Sequence, residues 1–370
     1  MRIGLLGFGV VGKGLYDLLK GRTDMQIAKV CCLEDVALED TVVTKSFRDI
    51  LTDDTIDTVV EAIGGLHPAF DFVRDAILAG KNIVTSNKAL VATFYDELLP
   101  LTREKGVLLR CTAAVGGGIS WLSELERTRR TQALLQVGGI MNGTCNYILD
   151  SMTRLGLGYG EALSQAQALG YAEANPTTDV EGIDTWHKII ISANVAFGVS
   201  LERESVPVTG ISKIAAEDVE AFRQHGYVCK LIATAKCAEG KYQAYVQPTL
   251  CPQGALEAAV PSNYNLITFT GAASDRMSLY GQGAGRYPTA HNVFQDCVDV
   301  ASGKGFYSVY GPKVSVSNDD RIRYYVRGGN VAWPTEETWG NAVITAPVSV
   351  ADMHAWLKEN PDAFIAALGE

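Results

Sequence analysis

The chain has 370 residues, 47% of them hydrophobic and 20% charged, a balance that supports a large buried core and suggests two or three domains. Lys and Arg number 32 against 42 Asp and Glu, and the formal net charge of −10 excludes the basic surface that a nucleic acid or an anionic membrane would call for. No apolar run approaches the ~18 residues of a membrane span, and eight scattered cysteines without a C-x-x-C pair favour reduced thiols in a cytoplasm over a disulfide framework or a zinc site.

The N-terminal "MRIGLLGFGVVGKG" is apolar but runs into a glycine pattern and lacks a small-residue cleavage site, so it is not read as a signal peptide. "RIGLLGF" is the first expected strand and "GKGLYDLLKGR" the helix after it. Further strands are expected in "MQIAKVCCL", "IDTVVEAIGG", "KNIVTSN" and "GVLLRCTA", with a helix in "HPAFDFVRDAILAG" that stops at Gly80. Strands alternating with helices at this spacing imply βαβ units and a parallel sheet over residues 1–130. From 131 the pattern changes. "QALLQVGGIMNGTCNYIL" reads as strand, turn and helix start; "YGEALSQAQALG" and "DTWHKIIISANVAFG" read as helices. "KLIATAKCA", "KYQAYVQPTL" and "YNLITFTG" read as strands, which makes 131–280 a second, α+β domain. "YGQGAGRYPTAHNVFQDCVDVA" offers a late glycine loop and helix, and residues 281–310 are assigned to the first domain. Residues 311–370, with "RIRYYVRGG" and "VSVADMHAWLKEN", are expected as a small appendage of a strand and a helix.

Gly7, Gly9 and Gly12 form G-F-G-V-V-G between the first strand and the first helix. In that place the glycines serve a tight turn, close backbone approach to a pyrophosphate and close helix–strand packing, and the helix N-terminus offers amides to the anion. About 20 residues further on, where a carboxylate bonds the adenosine ribose hydroxyls, stand Glu34 and Asp35, with no Lys or Arg in "VCCLEDVALED". A carboxylate there repels a 2′-phosphate, so NAD is expected over NADP; the alternative is a pair of solvated loop acids.

"GYAEANPTTDVEGIDTWHK" crowds Glu173, Asp179, Glu181, Asp184 and Lys188 ahead of an apolar helix. Asp184 and Lys188 lie one helical turn apart, on one face. Taken alone they read as a surface ion pair of little worth; the sharper reading is a buried acid–amine constellation at a substrate. Five stretches with the glycine loop decide for the second: "EAIGG" at 61–65, "VTSNKAL" at 84–90, "GIMNGTCNYIL" at 139–149, the acidic stretch itself, and "GQGAGRYPTA" at 281–290. In this order and spacing the chain resembles the homoserine dehydrogenase family over residues 1 to about 310.

That resemblance implies an α/β protein: an N-terminal Rossmann dinucleotide-binding domain, and an α+β domain that binds substrate and dimerises. It also implies NAD(P)-linked interconversion of L-homoserine and L-aspartate 4-semialdehyde. Lys188 becomes the general acid/base, with Asp184 orienting it or holding substrate; Glu173 receives the substrate ammonium, and Lys88 is a second lysine at nicotinamide and substrate. Asp179 either caps a helix or contacts substrate. Phe8, Gly9, Val10, Val11, Ile63, Gly170 and the Gly283–Ala284–Gly285 turn would line the cofactor.

Two departures stand out. Many relatives hold a structural sodium ion through a glutamate and nearby carbonyls; here Thr112 occupies the glutamate's place. The carbonyls of Val115, Gly117 and Ile119 remain as ligands for a hard cation, but the charge that favours one is missing, which argues against a sodium site here. The usual E-x-D-P has become E-A-N-P, with Asn175 replacing an acid beside Glu173. Residues 311–370 lack the signature of the regulatory amino-acid-binding domain that many bacterial relatives carry, and no threonine feedback through such a domain is expected. Two rivals remain open: an NAD-dependent dehydrogenase of another small amino alcohol or amino acid, and a non-catalytic NAD-binding regulator.

Overall fold

Six strands make the first sheet of the computed structural model, which describes residues 1–305 and 311–369. They are β1 (Arg2–Leu6), β2 (Gln26–Cys31), β3 (Val42–Thr44), β4 (Thr58–Glu61), β5 (Asn82–Thr85) and β6 (Leu109–Arg110). All neighbours pair in parallel, in the order β3-β2-β1-β4-β5-β6. The short apolar runs of the sequence follow from this, because a parallel sheet is covered on both faces: Ile3, Leu5, Leu6, Val59, Val60, Ile83 and Val84 are all fully buried. The strand order reverses between β1 and β4, the place where doubly wound sheets receive ligands beyond the strand ends.

The chain divides into two compact units: Met1–Thr131 with Asn194–Ser200 and Gln282–Pro312, and Gln132–Ala193 with Leu201–Gly281 and Lys313–Glu370. The domain limit expected at 310 lies outside the described residues. In the first unit the late helix Arg286–Ala301 returns to pack on the helix Val10–Leu19. Ala290, Val293 and Cys297 join Ile3, Leu5, Leu15 and Val30 in one core. The helix Lys88–Lys105 was not expected from sequence: Pro100 lies inside it and the backbone kinks at Phe94, so its pattern is broken.

The second unit is built on a nine-stranded mixed sheet. Its spatial order is Asp275–Gln282, Tyr264–Gly271, Leu134–Ile140, Tyr227–Ala238, Lys241–Pro252, Phe364–Leu368, Tyr324–Arg327, Ala342–Thr345 and Thr335–Trp339. Residues 313–370 therefore supply four strands of this sheet, where sequence suggested an appendage. Phe364–Leu368 adds in parallel to Lys241–Pro252. Buried Asp218 also ties the segment down, accepting from Tyr325 Oη at 2.7 Å and Arg327 Nε at 2.7 Å. Tyr324, Val326, Met353, Trp356 and Ile365 give it a core. Among the described residues no helix is long and apolar enough to cross a membrane.

Lys230, on the strand Tyr227–Ala238, is fully buried and donates to Asn146 Oδ1 at 2.8 Å and the Val260 carbonyl at 2.7 Å. Burial holds its amine down at about 8, against an ordinary value of 10.5. Between those values the unfolded chain binds the proton that the folded chain releases, so this residue's contribution to stability rises with pH across the window. Urea unfolding of wild type and Lys230→Met should show the difference in stability moving in favour of wild type as pH climbs through it. A difference independent of pH would contradict this reading.

Candidate active site

The strand Leu134–Ile140 runs out at Met141 and Asn142, and Asn142 is the N-cap of the helix Gly143–Leu155. Its Oδ1 accepts from the Cys145 amide at 2.8 Å, which leaves its Nδ2 to point elsewhere. That amide nitrogen donates to Asp179 Oδ1 at 2.7 Å and to Asp184 Oδ2 at 2.8 Å. Asp184 sits in the first turn of the helix Ile183–Phe197, where a carboxylate favours the helix dipole. One turn on, Lys188 Nζ donates to Asp184 Oδ2 at 2.7 Å and to the Met141 carbonyl at 2.7 Å.

Both side chains are nearly covered, with Lys188 7% and Asp184 5% exposed. The surface-pair reading therefore fails, because a buried amine and carboxylate persist only when paired and hydrogen-bonded. Among the described residues Asp184 Oδ2 and Met141 O are the amine's acceptors, which account for two of its three N–H bonds. Asp179 lies in the short helix Thr177–Val180, and its backbone carbonyl accepts from Cys145 Sγ at 3.1 Å. Burial pushes the Cys145 thiol well above its ordinary value, which keeps it a neutral donor.

Glu173 is exposed, in the loop between the helices Tyr159–Ala168 and Thr177–Val180. Gly170 turns the chain at the start of that loop with φ +75°. Asn175 Oδ1 accepts from the Thr177 amide at 3.2 Å and its hydroxyl at 2.7 Å. The amide oxygen thus does the turn-forming work open to an acid at that position. Asn142 was not singled out from sequence, although it stands inside a quoted motif; an Asn between strand and helix reads only as a cap.

In the first unit Gly7 has φ +92°, and a Cβ there would meet the Ala62 carbonyl oxygen. A Cβ on Gly12 would collide with the Gly7 carbonyl, whereas beside Gly9, the N-cap of Val10–Leu19, the space is open. Gly9 caps with no side chain, so no side-chain cap covers the first amides of that helix, the kind of helix start that suits an anion. The turn Gly283–Ala284–Gly285 repeats the arrangement: Gly285 has φ +127° and caps Arg286–Ala301 without a side-chain bond. Phe8 is buried, Val10 and Ile63 are exposed, and Val11 is half-buried. Buried Glu61 accepts from the Ile63 and Gly64 amides at 2.8 and 3.1 Å and shapes the loop after β4. Lys88 opens its helix beside the N-cap Asn87, an electrostatically costly place for a cation. Glu34 and Asp35 are exposed after β2. Asp35 pairs with Lys45 at 2.7 Å, a lysine that lies beyond the stretch read for cofactor preference.

Two family models match the chain, homoserine dehydrogenase over residues 121–298 and the homoserine dehydrogenase NAD-binding domain over 7–111. The Bacillus subtilis homoserine dehydrogenase is 37% identical over 314 residues, which is 81% of this chain and 72% of that protein. This chain belongs to the homoserine dehydrogenase family. The Synechocystis homoserine dehydrogenase is 38% identical over 316 residues, 81% of this chain and 73% of that protein. The solved homoserine dehydrogenase from Thiobacillus denitrificans superposes with a TM-score of 0.87 at 30% identity, covering 100% of this chain and 98% of its own. The Staphylococcus aureus homoserine dehydrogenase at pH 7.5 gives 0.79 at 27% identity, over 100% and 98%. A hyperthermophilic archaeal homoserine dehydrogenase mutant, solved in complex with NADPH, gives 0.70 at 21% identity, covering 83% and 99%, and speaks to the fold. As a homoserine dehydrogenase, the protein is an oxidoreductase with an NAD(P)-binding domain and a small-molecule substrate.

The sodium ion that the family resemblance suggested does not fit this homoserine dehydrogenase. Asn292 Nδ2 donates to the Gly117 carbonyl at 2.5 Å and to the Ile119 carbonyl at 3.1 Å. Ile119 O also accepts from the Trp121 amide at 2.7 Å, which uses both of its lone pairs. Two of the three expected carbonyl ligands therefore face an N–H donor. Thr112 is engaged as well: its amide donates to Asp296 Oδ2 at 2.7 Å and its hydroxyl meets Ser123 Oγ at 3.1 Å.

Proposed function

We propose that the protein interconverts L-homoserine and L-aspartate 4-semialdehyde with NAD as the favoured cofactor and Lys188 as the proton donor and acceptor. The observation that carries this reading is the buried amine with two acceptors at 2.7 Å. NAD(P), when bound, takes up or returns the hydride. Lys188 moves the alcohol proton, and Asp184 and the Met141 carbonyl fix its nitrogen so that little reorientation accompanies the transfer. Asn142 acts through Asp184 and Asp179 as a positioning residue that keeps both carboxylates in place. Glu173 receives the substrate ammonium, and Lys88 grips the substrate carboxylate or the developing alkoxide. The glycine loop, the Ile63 backbone, Gly170 and the Gly283–Gly285 turn serve the cofactor.

Glu34 and Asp35 support NAD. Lys45, the cation that could receive a 2′-phosphate, is bound to Asp35 at 2.7 Å. With L-homoserine as substrate, kcat/KM should be higher with NAD than with NADP. Asp35→Ala should move the ratio towards NADP by roughly fivefold or less, the range of one exposed ion pair. NADP favoured by wild type would overturn the cofactor assignment and leave the dehydrogenase standing.

The reading includes a homodimer through the second unit's sheet. Its terminal strand Asp275–Gln282 is an open edge with Met277 and Tyr280 about half exposed, the kind of edge that invites pairing with another chain.

A further inference from the structure

We propose that this protein has replaced a bound monovalent cation with two of its own side chains, Asn292 and Arg110, so that its fold and turnover do not depend on sodium or potassium. The amide of Asn292 is fully buried and every polar atom of it is used. Nδ2 bridges the Gly117 and Ile119 carbonyls, and Oδ1 accepts from Ser120 Oγ at 3.1 Å. A cation bridging carbonyls from two sides of a turn neutralises their partial charges and pins the turn. An NH2 group with its two hydrogens on the same two carbonyls does the same without an ion.

The charge is supplied separately. Arg110, on β6, is buried and its Nη2 lies 3.5 Å from the Thr112 hydroxyl. It pairs with Glu126 at 2.9 Å, Asp296 at 3.2 Å and Asp299 at 2.9 Å. Asp296 in turn holds the Thr112 amide, so a fixed guanidinium is the positive charge shared by the acids around a position that carries a neutral threonine.

What this clasp secures is the cofactor end of the unit. The Gly118 amide donates to the Gln282 carbonyl at 3.1 Å, which joins the clasped turn to the residue preceding Gly283–Ala284–Gly285. Asn292 itself lies on the helix that this glycine turn opens. The device fixes the late glycine turn through hydrogen bonds that salt composition does not change.

The test is a thermal melt of the full chain in sodium, potassium and choline chloride at one ionic strength, with L-homoserine turnover measured alongside. Wild type should melt at the same temperature in all three salts and turn over at the same rate. A saturable rise in melting temperature with sodium or potassium, absent in choline, would overturn the proposal. Because melting is read without substrate, that outcome counts against the proposal whether or not the dehydrogenase assignment holds. Asn292→Asp should exchange the donor for a carboxylate and create a requirement: a low melting temperature in choline, raised by sodium or potassium. If Asn292→Asp folds and melts as wild type does in every salt, the amide is not holding the site and the idea fails. Should that variant not fold, the wild-type melts decide alone.

Discussion

Arg110→Met should cost the first unit about 3–5 kcal/mol, the usual effect of stripping one partner from a buried ion pair. Arg110, Glu126 and Asp296 are each less than 4% exposed at the side chain, so water cannot replace the lost guanidinium. Burial already pushes the Asp296 carboxyl above its ordinary value, held in check chiefly by Arg110 and by its bond to the Thr112 amide. With Arg110 gone, two covered carboxylates face each other without a counter-charge. Since whole domains are stable by only about 5–15 kcal/mol, the variant should unfold at much lower denaturant and lose cofactor affinity with it. Removing the acids together with the base, as Arg110→Met with Glu126→Leu and Asp296→Asn, should recover much of the loss, because the penalty belongs to the unpaired charges. Chemical denaturation of the three proteins checks this. A single variant within about 1 kcal/mol of wild type, the scale of an ordinary substitution, would show that the cluster is not the buried charge network described here.

Lys188→Met should lower kcat for L-homoserine by about 10²–10⁴-fold, the usual share of a positioned general acid or base. Methionine keeps the apolar stem and removes the nitrogen, so the change reads the amine and not the packing. Asp184 retains its bond from Asn142 Nδ2 at 2.8 Å, which limits structural damage. The glycine loop belongs to the first unit and Lys188 to the second, so NAD affinity should persist. A non-catalytic regulator would instead have no turnover for the substitution to remove. Steady-state kinetics beside a binding isotherm separates the two.

Much of this was legible from residues alone, for identifiable reasons. Fully buried parallel strands such as Ile3–Leu6 and Val59–Val60 give apolar runs that need no tertiary knowledge to find. The glycine loop is local, with each glycine's task set by neighbours a few residues away. The Asp184–Lys188 pair is a helical-turn spacing and is visible as such; the spacing alone does not give its burial, which the family motifs point to and which the strand ending at Met141 helps provide. Asn142 illustrates the limit: its Oδ1 makes an ordinary cap, while its Nδ2 donates to acids far along the chain. Phe364–Leu368, "FIAAL", is too short and too rich in alanine to announce a strand that pairs in parallel with Lys241–Pro252. Arg110 does leave a signal in the sequence. An arginine inside an apolar strand is rarely buried without acids around it, and Asp296 and Asp299 share one helix. Asn292 leaves none, because only its meeting with the Gly117 and Ile119 carbonyls gives it meaning.

The central claim is that the buried amine of Lys188 handles the proton while the first unit holds the cofactor. The most direct test follows reduced-nicotinamide absorbance after L-homoserine is added to NAD with wild type or with Lys188→Met, while NAD binding is recorded on the same samples by fluorescence. The prediction is binding by both proteins and reduction by wild type alone. Reduction by Lys188→Met at the wild-type rate, or none by wild type despite bound NAD, would contradict it.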